Sequence, residues 1–181
     1  MLNRVISGGQ SGADQAGLRA ACAAGIATGG TAPRWWLAEV ADVQPDGTTR
    51  WVHRVSPWLA DFGLAECDDP SDDPTDRVVQ PWRDWCARAY VARTRANAPG
   101  SDATLWFGDH TSPGGRTTLD AARGAGRPIL IVYGGVTKPS DVRSWIEKDR
   151  VLILNVAGNR ESTAPGIGER VERFLGRVFR V

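Results

Sequence analysis

Short apolar runs alternate with segments of helical period along most of this chain. Leu2 to Ile6, Ala103 to Phe107, Pro128 to Tyr133 and Val151 to Asn155 are runs rich in Val, Ile and Leu that read as strands. Between them, helical spacing recurs over Ala13 to Ala24, Trp82 to about Asn97, Thr117 to Ala125 and Ser140 to Glu147. A last helix starts after Pro165 and carries Ile167, Val171, Phe174, Leu175 and Val178 toward the core. Nearly continuous apolar strands separated by helices suit a parallel sheet covered on both faces. The predicted fold is an α/β Rossmann-like three-layer domain with a mostly parallel sheet. The small face of the first helix, Ala16, Ala20 and Ala24, lets it approach that sheet closely.

The pattern lapses twice. Thr28 to Pro57 is rich in Gly, Pro and Trp, and an Asp46-Gly47 turn between Val40–Val43 and Arg50–Val55 predicts a small two-stranded excursion. Cys67 to Thr75 (CDDPSDDPT) breaks every periodicity and reads as an exposed loop whose four Asp form a solvated face rather than a cation site. A length of 181 residues suits one core, so a single domain over 1–181 with an irregular Trp-rich excursion at about 31–79 is expected.

Charge and composition narrow the partners. Basic and acidic side chains number 22 and 21, which leaves no bulk attraction for a nucleic-acid polymer. No apolar stretch approaches the roughly 20 residues that span a bilayer, and a polar loop begins by residue 8, so neither membrane insertion nor secretion is expected. Cys22, Cys67 and Cys86 lack ligand spacing. Cys22 and Cys86 sit in helical patterns where a buried thiol is expected, and a reducing cytoplasm fits. His53 and His110 belong to no ligand motif, so no protein-held metal such as zinc is assigned.

The candidate chemistry lies in glycine-rich turns that follow strands and precede helices, where α/β sheets bind ligands. In Gly8-Gly9-Gln10-Ser11-Gly12-Ala13-Asp14 the glycines permit close backbone approach, Ser11 offers a hydroxyl, and amides near Gly12 and Ala13 would face an anion. Asp14 would repel a phosphate there; it is a candidate for capping, for bonding a ribose, or for holding a metal or water. In Pro113-Gly114-Gly115-Arg116-Thr117-Thr118, Arg116 can pair with phosphate and Thr117 can donate to it. A third loop, Asn155 to Ser162, adds Asn155, Arg160 and Glu161. Neither GxGxxG nor GxxxxGK[ST] spacing is present.

Four blocks in order, ISGGQSGAD at 6–14, YVARTRANAPGSDATLWF at 90–107, PGGRTT at 113–118 and LNVAGNRES at 154–162, resemble the circularly permuted YpsA-like family of the SLOG superfamily, whose members go by the name of molybdenum carrier proteins. The resemblance implies a Rossmann-like domain, a nucleotide or nucleotide-derived ligand, and self-association as a homo-oligomer. Its motif positions include Gly8, Gly9, Gln10, Gly12 and Asp14, then Tyr90, Arg93, Thr94, Asn97 and Asp102, then Gly114, Gly115, Thr117, Asn155, Arg160, Glu161 and Ser162. Arg93 and Asn97, one turn apart, can face one ligand together. In place of the family's CPKGRxAEDG-like segment stands TAPRWWLAE at 31–39, which keeps Pro33, a basic residue at Arg34, and Glu39 but adds Trp35 and Trp36. With Trp51 and Trp58, these indoles are candidates for stacking a base or a pterin.

Three function classes follow. The first is a carrier or sensor binding a small phosphorylated ligand, a nucleotide or the molybdenum cofactor, with a divalent cation as a further candidate. The second is a nucleotide hydrolase using Asp14, Glu161 or Glu39 for protons, although Asp120 stands near the Glu of the related hydrolases' PGGxGTxxE signature. The third is a protein-binding module with a vestigial pocket.

Overall fold

The computed structural model describes residues 2–67 and 89–180. Cys86, Trp82, Trp85 and the predicted 68–75 loop lie outside the described residues. Among the described residues six parallel strands form the main sheet in the order β5-β2-β1-β8-β6-β7. They are β1 Arg4–Ile6, β2 Ala27–Ala32, β5 Leu64–Glu66, β6 Ala103–Phe107, β7 Ile129–Val132 and β8 Ile153–Gly158. Strands β3 Leu37–Val43 and β4 Thr49–Val55 pair antiparallel in a separate hairpin. The helices are α1 Ala13–Ala23, α2 at 89–97, α3 Pro113–Gly124, α4 Pro139–Lys148 and α5 Ile167–Val178. This is the Rossmann-like α/β fold that the strand and helix alternation predicts.

The alternation of side chains along each strand divides the molecule into layers. Val5, Leu105, Phe107, Leu154 and Val156 face one side, where they share a core with Ala13, Ala16 and Ala20 of α1, Val142 and Ile146 of α4, and Ile167, Val171 and Leu175 of α5. Their neighbours Thr104, Trp106, Asn155 and Ala157 face the other side. There Asn155 Nδ2 donates to Thr104 Oγ1 at 3.2 Å, and α3 packs over β6, β7 and β8. Asn97 ties α2 to the sheet: its Oδ1 accepts from the Thr31 amide and its Nδ2 donates to the Thr31 carbonyl, both at 2.8 Å. A groove therefore runs between α2 and α3 along the carboxyl end of β8.

Two sequence expectations are corrected in this frame. Cys22 is exposed rather than buried, because it points away from the α1 stripe that faces the core. Residues 64–66, inside the excursion expected at about 31–79, form strand β5 of the main sheet, and 27–32, where the pattern lapses from Thr28, form β2.

Candidate functional site

The groove between α2 and α3 holds a cavity of about 420 Å³. Its floor is Trp106, Asn155, Ala157 and Gly158; one wall is Gly8, Gln10 and Asp14 with Tyr90, Arg93, Thr94 and Asn97, and the other is Ser112, Pro113, Gly114, Thr117 and Thr118. Asn159, Arg160 and Thr163 close the rim. Among the described residues Tyr90 and Trp106, rather than Trp35, Trp36, Trp51 or Trp58, are the aromatic side chains lining it. Trp36 donates its indole N–H to the Leu64 carbonyl at 2.9 Å and packs with Leu18 and Leu59, Trp35 joins Leu37 and Ala89, and Trp58 lies edge-on to Phe62.

The two glycine turns do different work. At the start of α1, the Ala13 amide donates to the Asn159 carbonyl at 3.2 Å, and Gly12, at φ +84°, leaves no room for a Cβ against the 159–161 backbone. The expected anion site at Gly12 and Ala13 is thus covered by the chain itself. At the start of α3, Ser112 caps by accepting from the Gly115 amide at 3.1 Å, Pro113 carries no N–H, and Gly114 lies against the cavity. Thr117 and Thr118 donate back to the carbonyls of Pro113 and Gly114, each at 2.9 Å. Gly115 is packed on the His110 carbonyl, and a Cβ there would stand 2.5 Å from that oxygen.

Both cations of the cavity have carboxylate partners. Arg93 Nη1 donates to Asp14 Oδ2 at 2.5 Å in a nearly buried pair, and the Gln10 amide reaches the same oxygen at 3.3 Å. Gly8 is bare so that the Arg93 guanidinium can lie across it, since an added Cβ would overlap Nη1. Arg160 sits with its guanidinium 4.6 Å from the centre of the Tyr90 ring and 3.7 Å from Glu39 Oε1. Glu39, one layer out from the cavity, accepts from Ser11 Oγ at 3.4 Å and from Ser162 Oγ. Two buried donors on the cavity-lining residues, Gln10 Nε2 and Arg93 Nε, have no partner among the described residues.

A sequence model of the circularly permutated YpsA SLOG family matches residues 5–50 and 74–179. The chain belongs to that family. A solved structure from Syntrophus aciditrophicus SB, named "Putative molybdenum carrier protein", is 27% identical, with a TM-score of 0.70 over 99% of this chain and 96% of that one. A comparison with curated proteins returns no match.

Other residues singled out in this SLOG protein lie outside the cavity. Gly9 is stacked on Leu59 and Leu64, and Arg34 is exposed over the ring of its neighbour Trp35. Arg116 is exposed and donates to the Thr111 carbonyl on the outer side of α3. Glu161 accepts from the amides of Gly166 and Gly168 and so caps α5, with 2.9 Å to the second. Asp102 accepts from the Leu152 and Ile153 amides at 3.0 and 2.8 Å, at the amino end of β8. Among the described residues no three His, Cys, Asp or Glu side chains gather as a metal site, and no helix is long and apolar enough to cross a membrane.

Sequence reasoning passed over Trp106 and His53. The first was legible as a strand residue of opposite parity to Leu105 and Phe107. The second is placed by hairpin register, opposite Glu39, with its ring 5.7 Å from Tyr90. Burial, reinforced by the nearby Arg160 charge and opposed by Glu39, holds the His53 pKa below its ordinary 6.5. The unfolded chain then takes up this proton more readily than the folded one. The stability that neutral His53 contributes is full above about pH 6.5 and is lost as the pH falls through the folded-state value. Thermal melts from pH 7.5 to 5 are expected to show a decline that His53→Gln reduces; identical declines in the two proteins would refute it.

Proposed function

We propose that the crevice binds a small ligand through an oxyanion group, phosphate or a molybdenum oxyanion, seated at the first turn of α3, and that the protein carries or senses this ligand rather than transforming it. Gly114 carries the reading. Among the described residues an added Cβ there would meet nothing within 4 Å, and its φ lies outside the left-handed region, so no contact with them demands glycine at a position where helices disfavour it. Bare backbone at a helix N-terminus, facing a cavity, is what close approach of an anion requires. Family membership supports ligand binding, and the name of the Syntrophus aciditrophicus protein supports a molybdenum species as one such ligand. Phosphate and molybdate are both tetrahedral oxyanions and make the same demand on amide donors.

Binding is favoured over chemistry because the carboxylates that were candidates for proton transfer are occupied. Asp14 is paired with Arg93, Glu161 caps α5, and Glu39 is held by Ser11, Ser162 and Arg160. Asp120, the nearest counterpart of the hydrolase Glu, is exposed and paired with Arg123 at 3.2 Å.

Calorimetric titration with inorganic phosphate and with molybdate tests the site. Gly114→Val is expected to weaken both at least tenfold, about 1.4 kcal/mol, while Arg116→Ala leaves them nearly unchanged. Undiminished binding by a folded Gly114→Val protein would remove α3 from the site.

A further inference from the structure

Arg160 and His53 approach one carboxylate, Glu39, from two elements. Arg160 stands at the rim of the crevice with its side chain 34% exposed, and its guanidinium is 3.7 Å from Glu39 Oε1, too far for a hydrogen bond. Glu39 is 8% exposed, and its other oxygen accepts from Ser11 and Ser162. His53 lies directly opposite Glu39 in the β3–β4 register, so both side chains share one face of the hairpin. It is not among the crevice-lining residues, and its Nε2 is buried with no partner among the described residues.

A nearly buried carboxylate needs a cation beside it. With Arg160 in that place, His53 is held neutral: burial and the Arg160 charge lower its pKa, and Glu39 opposes them. An oxyanion in the crevice alters the balance. It competes for Arg160, whose contact with Glu39 is far looser than the 2.5 Å contact of Arg93 with Asp14, and its own charge offsets the guanidinium. Glu39 then wants a countercharge, and His53 is the titratable group facing it. Other groups around the imidazole do not serve. On α2, Tyr90 presents an aromatic ring at 5.7 Å, and Arg93 is committed to Asp14. On β4, Arg50 and Arg54 occupy the opposite face of the hairpin, where Arg54 bonds Asp42 at 3.0 Å.

We infer that the crevice binds its oxyanion together with a proton, which goes to the imidazole of His53 as Arg160 turns from Glu39 to the oxyanion. By reciprocity the proton strengthens oxyanion binding by the factor that the oxyanion strengthens proton binding. Below the unliganded pKa both forms of the protein carry the proton, and above the liganded pKa neither does. Affinity therefore changes between those two values and rises as the pH falls. This rests on the oxyanion seat at α3 proposed above and adds how that site answers to pH.

Sulfate tests it on the intact chain, being tetrahedral like phosphate and molybdate yet constant in charge between pH 7.5 and 5.5. Its affinity is expected to rise about threefold or more across that range, and calorimetry in two buffers of different ionisation heat is expected to show net proton uptake. His53→Gln is expected to abolish both while leaving sulfate affinity at pH 7.5 within about twofold of the parent. Glu39→Gln keeps an oxygen for the serine hydroxyls but removes the charge that calls for the proton. It is expected to abolish the uptake and to tighten sulfate at pH 7.5, a gain that a merely structural Glu39 does not give. Thermal melts establish that each variant is folded. His110, the chain's other histidine, has its ring 6.2 Å from Tyr133 near the start of α3, and His110→Gln is the control. Sulfate binding that Gly114→Val weakens but that is flat with pH, or a rise that survives both the His53 and Glu39 variants or disappears in His110→Gln alone, would overturn the linkage and leave the seat at α3 standing. A rise that needs His53 but ignores Gly114→Val would keep the linkage and remove the seat.

Discussion

Gly8→Ala is expected to destabilise the protein by about 3 kcal/mol, the lower part of the range for breaking a buried ion pair. The atoms nearest to the new methyl group are all of the Arg93 side chain, and it would occupy the place of that guanidinium. Arg93 would be pushed off Asp14, leaving a carboxylate that is only 4% exposed beside a cavity with its principal countercharge displaced. Chemical denaturation of Gly8→Ala, Arg93→Ala and the double variant measures this as a coupling. Both single changes are expected to cost similar amounts, and Gly8→Ala is expected to add little once Arg93 is gone. Additive losses would show that Gly8 is needed for the turn itself and not for the arginine.

Glu161→Ala is expected to cost about 2 kcal/mol, because two helix amides lose a charged acceptor together. The N-cap position of α5 is Gly166, which has no side chain to cap with, so the carboxylate arrives from five residues upstream. α5 packs on α1 and supplies Ile167, Val171 and Leu175 to the main core, so fraying of its first turn is felt throughout that layer. Glu161→Gln retains an oxygen for one amide and is expected to lose roughly half as much. Phosphate binding measured on the folded variants is expected to stay within about twofold of the parent. A large loss of affinity without loss of stability would return Glu161 to the ligand.

How much of this was legible follows from the kind of signal each residue gives. The strands at 103–107 and 129–132 and the α5 stripe announce themselves because burial requires uninterrupted apolar side chains. Strand β2, ATGGTA, gives no such signal. Its place beside β1 depends on a glycine at 30 with φ +121°, where a Cβ would run into the Ser7 backbone, and that need is invisible until the partner strand is known. The same holds for the site. Gly114 and Arg93 stand in motifs and line the crevice, but sequence cannot tell a glycine left open to the crevice from one that makes room for the protein's own side chain, as Gly8 does, or its own backbone, as Gly12 and Gly115 do. Arg116 and Glu161 sit next to true crevice residues, and helix phase and capping turn them away. His53 lacked any motif because the register of a hairpin, not sequence spacing, brings it to Glu39.

The position of β8 has a consequence for the newborn chain. Strands 5-2-1 and 6-7 can each assemble as soon as their residues have emerged, yet nothing joins them until Ile153–Gly158 slides between β1 and β6. Until then, Val5 and Leu105 present raw edges to solvent, and the turn at Gly8 to Asp14 waits for a cover supplied by residues 159–161. Pairing the first strand with the last is contact of long range, slow to close and exposed to misassociation meanwhile. The crevice therefore assembles late and all at once: a polypeptide halted near residue 150 would hold both walls' side chains but neither the floor at Asn155, Ala157 and Gly158 nor the rim at Asn159, Arg160 and Thr163, and so no crevice.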